Sequence, residues 1–534
     1  MAWRQPTIVA SMIALVALIL YPYNAVVSGA GAAGLLQRFY ALAPSQIHVD
    51  AQQAKGAAGE DWDLKYHLGG IGPWIPKVDG VVGGGVDPPP GCRVEQVHMG
   101  YQDMLELYHR IQAESVTLNG SLAFANAWDF FMPSPGQHLE HLVPTGPYAG
   151  TLQAFATGVR LRTRYANLLA SALARDHTTM FWASGFKRVE DTAALFGTAF
   201  FGLHWRAKGT AALQVIPETA DRGGDTLTPG RTCFKYAHNA DAQGHAQGER
   251  MWHEWRGVYL PPIVARLARE NPGMLFSESE VYSMQELCGF EMIAKGGSQW
   301  CAVFTEREWE GFEYAWDVLH YYHSGPGNPY SAVMGGLWLD ATTGLLKHGP
   351  EEAGPLFFSL CVGPPARLTE VGLSSSVVPR TDHQTYSAHD GDLLPILTAL
   401  GFWPGHNATH PQLPTSHMSA DRHFRTSDLV PMSATLILER LACPARERWC
   451  EDRAEFGYPN MVYCEPEGRE ERFVRVVVNE GVVALPGCEG GPGRSCGLEE
   501  FLGRVEEEGR SRGGFREVCG LPKDARKGIS FLHQ

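Results

Sequence analysis

This chain is short of positive charge, of long apolar runs, and of every common metal or redox signature. Lys and Arg number 44 against 58 Asp and Glu, a net charge of −14 at pH 7. That shortage argues against nucleic acid or an anionic membrane as partner. No internal repeat, low-complexity linker or block of like charge divides the 534 residues, so they read as one large domain with insertions. Neither C-x-x-C nor H-E-x-x-H occurs, and no Cys/His spacing resembles a zinc site. Only Thr7–Leu20 is continuously apolar, and it falls short of the roughly 20 residues a membrane helix needs.

What is present begins at that same run. Arg4 precedes it, and "YPY" and the small-residue stretch "SGAGAAG" follow. This layout predicts a secretory signal peptide over residues 1–30, cleaved near Ala30 or Ala33. The competing reading, an uncleaved anchor, meets the length objection. A secreted product with no stable membrane span after cleavage is expected. Secretion makes the 11 cysteines disulfide candidates, with one left over. It also makes the sequons at Asn119 and Asn407 credible glycosylation sites. Residues 31–91 form a Gly/Pro-rich lead-in.

The main domain, 92–525, opens with "VEQVHMGYQDMLELYHRIQ". Val94, Val97 and Met99 suggest a strand, which follows the turn signal "DPPPGC". Met104, Leu107, Tyr108 and Ile111 then recur at helical spacing. Only Gly100–Asp103 separate the two patterns. Helical periodicity dominates the middle, as in "TLQAFATGVRLRTRYANLLASAL" and "WEGFEYAWDVLHYYHS". Strand-like runs return at 355–360, 434–441 and 472–485. "LEEFLGRVEEEGRSRGGFREV" reads as a solvated helix and loop. Strands at both ends around a helical middle predict an α/β core with a helical insertion.

One late motif carries chemistry. "SAHDGDLLPILTALGF" places His389 and Asp390 on a turn entering a helix patterned by Leu393, Ile396, Leu397 and Leu400. Helix N-termini favour anions. A His there can grip a phosphoryl oxygen, and an Asp can protonate a leaving alcohol. Alone, the same residues are as well explained by an N-cap and a solvated surface pair.

Those residues stand beside further stretches: "YHLGGIGPW", "DPPPGCRVEQVHM", "TGPYAGTLQAFATGVRLRTRY", "FWASGFKRVEDTAALFGTAFFG", "LTPGRTC", "GPLFFSL" and "VNEGVVALPGC". Together they resemble the histidine acid phosphatase family, in its secreted fungal acid phosphatase and phytase branch. The resemblance implies a phosphoglycerate-mutase-like α/β fold, a mixed sheet sandwiched by helices with a smaller helical domain inserted. It implies two-step hydrolysis of phosphomonoesters, phytate among them, through a phosphohistidine, with no metal or organic cofactor. Carried over, His389 binds phosphate, Asp390 is the proton donor, and Arg188 in "FKRVEDTAALFG" takes the place of a phosphate-gripping arginine. The competing reading of Arg188 is a solvated arginine at a helix start. A homo-oligomer is compatible with the sequence.

Two departures stand out. The family's R-H-G-x-R-x-P nucleophile motif, expected a few residues after "VEQVHM", is missing, so the nucleophilic His is absent. His98 reads as a packing residue, and "DRHFR", Asp421–Arg425, lacks the Gly and the spacing of that motif. Conversely, Cys361–Ser387 interrupts what would be "GPLFFSLAHDGDLL" and bears the marks of a retained intron. Without Cys361 the cysteine count is even. The resemblance then implies Cys92–Cys443, Cys233–Cys519, Cys288–Cys301 and Cys488–Cys496, leaving Cys450 and Cys464. A misassembled reading frame and a real pseudoenzyme are both consistent with these departures. In either case the chain as it stands is expected to have little or no turnover.

Overall fold

The computed structural model describes residues 62–72, 98–114, 116–131, 150–175, 178–239, 243–360, 390–403, 412–444 and 470–534. The first α-helix among the described residues, α1 (His98–Ala113), buries Met104 and Leu107 and half-buries Tyr108, as the periodicity predicts. It starts earlier than expected. His98 and Met99, read as the end of a strand, are its first two residues, and 93–97 lie outside the described residues. Helix propagation is cheap once a turn exists. With no Pro between His98 and Met104, nothing stops the pattern from running back.

Helices α2 (Gly150–Arg164) and α3 (Ala166–Leu173) lead to strand β1 (Thr179–Ser184), which passes to α4 (Lys187–Phe201) and β2 (Ala211–Ile216). β1 pairs with β2 in parallel, Thr179 opposite Ala211. Five of its six residues are buried, as expected of a parallel strand covered on both faces. On one face Phe181 packs with Phe196 and Phe200 of α4 and Leu161 of α2. Gly158 allows that close approach, because a Cβ there would lie 2.6 Å from the Ala199 Cβ. On the other face Trp182 meets Ile216, Leu227 and Phe531.

The helical middle follows as α5 (Ala246–Glu270), α6 (Glu278–Lys295), α7 (Glu306–His323) and α8 (Ser331–Ala353). Capping boxes start α6 (Ser277 with Glu280) and α7 (Thr305 with Glu308), so both boundaries are encoded locally. The interior of this middle is aromatic, with Trp252, Trp300, Trp309, Phe312, Tyr314 and Trp316 fully buried. α1 packs on α6, where Arg110 pairs with Glu280.

Strand β3 (Ser359–Leu360) joins the far side of β1 in parallel, Trp182 opposite Ser359. The expected strand over 355–360 therefore narrows to two residues. Helix α9 (Asp390–Ala399) lies on α8, with Gly335 so close that a Cβ would lie 2.0 Å from the Pro395 carbonyl carbon. A second, antiparallel sheet comprises β4 (Leu436–Pro444), β5 (Glu470–Val478), β6 (Gly481–Val483) and β7 (Cys496–Gly497). The run over 472–485 is broken by a hairpin turn at Asn479 and Glu480, both with positive φ. Asn479 fits because its amide donates to the carbonyls of Asp428 and Leu429 while its oxygen accepts from Thr435 N–H. Helix α10 (Leu498–Arg512) buries Leu498, Phe501 and Val505 beneath a charged outer face, and the chain then runs through a short helix, Phe515–Val518, to Gln534.

Disulfides join Cys233 to Cys519, Cys288 to Cys301 and Cys488 to Cys496. The implied Cys92–Cys443 bond falls partly outside the described residues, because Cys92 lies outside them. Cys443, near the end of β4, is half-buried and has no disulfide partner among the described residues. Cys361, Cys450, Cys464, residues 361–387 and the lead-in up to Asp61 also lie outside them. No helix among the described residues is long and apolar enough to cross a membrane.

Candidate active site

The parallel register fixes where β1 and β3 end. Trp182 opposite Ser359 and Ala183 opposite Leu360 set the carboxyl ends of β1 and β3 side by side. In open α/β sheets, ligands bind outside such ends. β1 ends at Ser184, which is fully buried, and the chain turns through Gly185 and Phe186 into α4. At Gly185 a Cβ would stand 3.1 Å from the Ile216 carbonyl oxygen, so the turn is tight. Arg188 is the second residue of α4, a helix whose N-cap, Phe186, offers no side-chain acceptor. No side chain caps this turn; Val189 and Glu190 N–H donate to the Phe186 carbonyl, at 2.9 and 3.0 Å, which leaves the N–H groups of Lys187 and Arg188 as the ones an anion would meet. Lys187 is exposed and pairs with Asp191.

Asp390 is the first residue of α9, where the described chain resumes after β3. His389 lies just outside the described residues. Asp392 is buried, and Leu393, Leu394 and Leu397 form the packed face that fixes this helix. β1 thus leads directly into α4 and Arg188, whereas residues 361–389, outside the described residues, lie between β3 and Asp390. The third element expected at the site, a nucleophile loop after Met99, has no counterpart, because α1 runs unbroken through Met99 and Gly100.

The stretch "DRHFR" has a different occupation. Arg422 is buried, with Nη2 donating to Glu313 Oε2 at 3.0 Å and Nε donating to Asp317. Asp317 also accepts from Thr426 N–H and hydroxyl, both at 2.7 Å. His67 donates to Glu313 at 3.2 Å and stacks on Trp62, while Arg425 adds a bond to Glu313 at 3.4 Å. Burial works to raise the Glu313 carboxyl, yet the His67 hydrogen bond and the Arg422 charge hold it below its ordinary range. Burial pushes Asp317 up, against the opposing Arg422 charge. This cluster ties the lead-in and the 422–426 turn onto α7. Every group in it serves that anchorage, so it is not the phosphate site. Sequence reasoning missed it, although two carboxylates at i, i+4 within an otherwise aromatic helix face were the available signal.

Among the described residues, one group of potential metal ligands converges, Cys488, Cys496 and Glu500, and its two thiols are consumed by their disulfide. Asn119 is exposed, with its amide donating to Thr117 O at 3.0 Å, whereas Asn407 lies outside the described residues.

Known proteins share this architecture. A family model described as the histidine phosphatase superfamily (branch 2) matches residues 91–479. The phytase PHO112 of Candida albicans is 25% identical over 482 residues, covering 87% of this chain and 89% of that one. Acid phosphatase PHO1 of Komagataella pastoris is 27% identical over 486 residues, covering 87% and 88%. In architecture, the phytase from D. castellii superposes with a TM-score of 0.68 at 24% identity, over 92% of this chain and 93% of that one. That likeness shows the mixed α/β fold.

Proposed function

The chain belongs to branch 2 of the histidine phosphatase superfamily, and from that premise we propose a secreted phosphomonoesterase scaffold of the acid phosphatase and phytase type whose catalytic loop is missing. The observation that carries the reading is the pairing of β1 with β3, which supports one phosphate site at their carboxyl ends. In this reading, Arg188 and the uncapped start of α4 hold the phosphate dianion, the guanidinium matching two of its oxygens. His389 binds a third oxygen, and Asp390 protonates the departing alcohol oxygen. The substrate class is small phosphomonoesters, with phytate a candidate because a relative bears the name phytase.

The same reading assigns residues 1–30 to a cleaved signal peptide, 31–91 to the lead-in, 92–525 to the phosphatase domain and 361–387 to an anomalous insert. It places N-glycans on Asn119 and Asn407. Loss of the nucleophile and the two motif arginines predicts a rate several orders of magnitude below that of an intact enzyme. The absent motif itself favours a second reading, a non-catalytic phosphate-ester-binding protein.

The test is to express the chain as it stands and assay p-nitrophenyl phosphate and phytate at acidic pH, with calorimetric binding of inorganic phosphate alongside. No turnover, with phosphate binding that is lost in Arg188→Ala, supports the site. Turnover at ordinary enzyme rates refutes the predicted inactivity. No phosphate binding refutes the site. Sequencing the transcript across codons 90–115 and 355–392 separates a misassembled frame from a pseudoenzyme.

A further inference from the structure

The run over 355–360 pairs with β1 only at its last two residues, and the tail of the chain occupies the place of the missing rungs. In the observed register, Trp182 opposite Ser359, Trp182 N–H donates to the Phe358 carbonyl at 2.9 Å. Continued toward the amino end, that register would join Met180 N–H to the Leu356 carbonyl and Phe358 N–H to the Met180 carbonyl. Neither bond is present among the described residues. The side-chain amide of Gln534 stands there instead. Its Oε1 accepts from Met180 N–H at 2.7 Å, and its Nε2 donates to the Met180 carbonyl at 2.9 Å and to the Leu356 carbonyl at 2.8 Å. One amide thus supplies an acceptor and two N–H donors to three backbone groups.

The seat is fixed from both sides. Gly354 has φ +85°, and a Cβ there would lie 2.7 Å from the Gln534 Cγ, so only a glycine lets the chain turn past the amide. The tail that carries Gln534 is tied down over the sheet. Phe531 and Leu532 are buried against Trp182, Ile216 and Leu227. Asp225 is buried and accepts from Ser530 N–H at 2.8 Å and from its hydroxyl at 3.0 Å, while pairing with Arg222 and Arg526.

We propose that Gln534 is a positioning residue, its amide a wedge that holds β1 and the 355–358 segment apart at their amino ends and so fixes how their carboxyl ends meet. Two arrangements compete. With the amide in place the strands splay, and only Ser359 and Leu360 pair. Without it, Met180 and Phe357 pair directly and β3 grows back toward Leu356. From Met180 to Ser184, where β1 ends, is four residues, about 13 Å of strand. The inference rests on the phosphate site proposed above, because that site is set by where β1 ends and α4 begins. Misplacing a gripping group by about 1 Å can cost on the order of 100-fold.

Calorimetric titration of inorganic phosphate into the full chain, with hydrogen exchange read residue by residue, tests it in wild type, Gln534→Ala and Gln534→Glu. Alanine removes the wedge. Glutamate keeps its size but turns an acceptor on the two carbonyls at pH 7. Both variants are expected to weaken phosphate binding at least about tenfold, while the amides of 246–323 keep wild-type protection and so show that both fold. In Gln534→Ala the Phe358 amide is expected to exchange about tenfold slower than in wild type, as it gains the Met180 carbonyl. Phosphate affinity unchanged in either variant, whatever happens to Tm, makes the role merely structural and overturns the proposal. A Phe358 amide that exchanges no slower in Gln534→Ala overturns it as well. Wild type that binds no phosphate refutes the site itself and this inference with it, a result distinct from binding that is indifferent to Gln534.

Discussion

Replacing Arg422 with Ala removes the cation between two buried carboxylates. Glu313 and Asp317 have side-chain exposures of 2% and 0%, and Arg422 of 3%. Without the guanidinium, Asp317 keeps its bonds from Thr426, and Glu313 keeps His67 and Arg425, but the charge between them is gone. Stripping one partner from a buried ion pair costs about 3–5 kcal/mol, chiefly because the remaining charge stays desolvated. The packing of Arg422 over the Tyr314 ring, at 5.0 Å, is lost as well. With roughly 2 cal/mol/K of unfolding entropy per residue over 534 residues, that cost lowers Tm by about 3–5 °C. Differential scanning calorimetry at pH 7 measures it. The triple variant Arg422→Met, Glu313→Gln, Asp317→Asn is expected to recover most of the loss, since no ionised group is then stranded. The deficit of the single variant is expected to shrink as pH falls from 7 and the stranded carboxylates take up protons. A single-variant cost below about 1 kcal/mol would refute the reasoning, because it would mean that these carboxylates are solvated or already neutral. A triple variant no better than the single one would refute it too.

The remaining predictions concern other parts of the chain. Gly69 has φ +58° and would place a Cβ 2.4 Å from the Trp316 Cγ. Gly69→Ala is therefore expected to cost roughly 2–3 kcal/mol in denaturant unfolding, and a neutral result would mean the lead-in is not seated there. Glu439 is held below the usual carboxylate range; burial works to raise it, but Arg475, Tyr165 and Arg164 prevail. A depressed folded-state pKa stabilises above the unfolded value of about 4.3 and fades as pH falls through the folded value. Glu439→Gln should thus lower Tm at pH 7 but converge with wild type as pH falls below the unfolded value, and Tm curves that stay parallel through that fall would contradict this. Cys233–Cys519 spans 286 residues and Cys488–Cys496 spans 8. Loop-closure entropy makes the Cys233→Ser/Cys519→Ser double variant about 3 kcal/mol more destabilised than Cys488→Ser/Cys496→Ser, and equal losses would show that the long bridge closes no extra unfolded-state loop.

Much of this protein was decided by the sequence locally. Met104, Leu107 and Tyr108 mark α1, the capping boxes at Ser277 and Thr305 start α6 and α7, and "RFVRVVVNEGVVAL" yields two antiparallel strands. These features depend on neighbours within a few residues, where propensity, capping and periodicity act. The expectation that Arg188 and Asp390 stand at helix starts rests on the same kind of local signal. The tertiary structure alone decided the rest. The alternation in "VEQVHM" does not reveal that a helix claims His98 and Met99, because helix growth from Met104 competes with pairing to a strand far away in sequence. The length of "PLFFSL" does not reveal that only Ser359 and Leu360 pair with β1. Nor does "DRHFR" show that Arg422 will neutralise Glu313 and Asp317 across more than a hundred residues. Pairings at that separation are set by which surfaces the packed helices and strands bring together, and no local pattern encodes them.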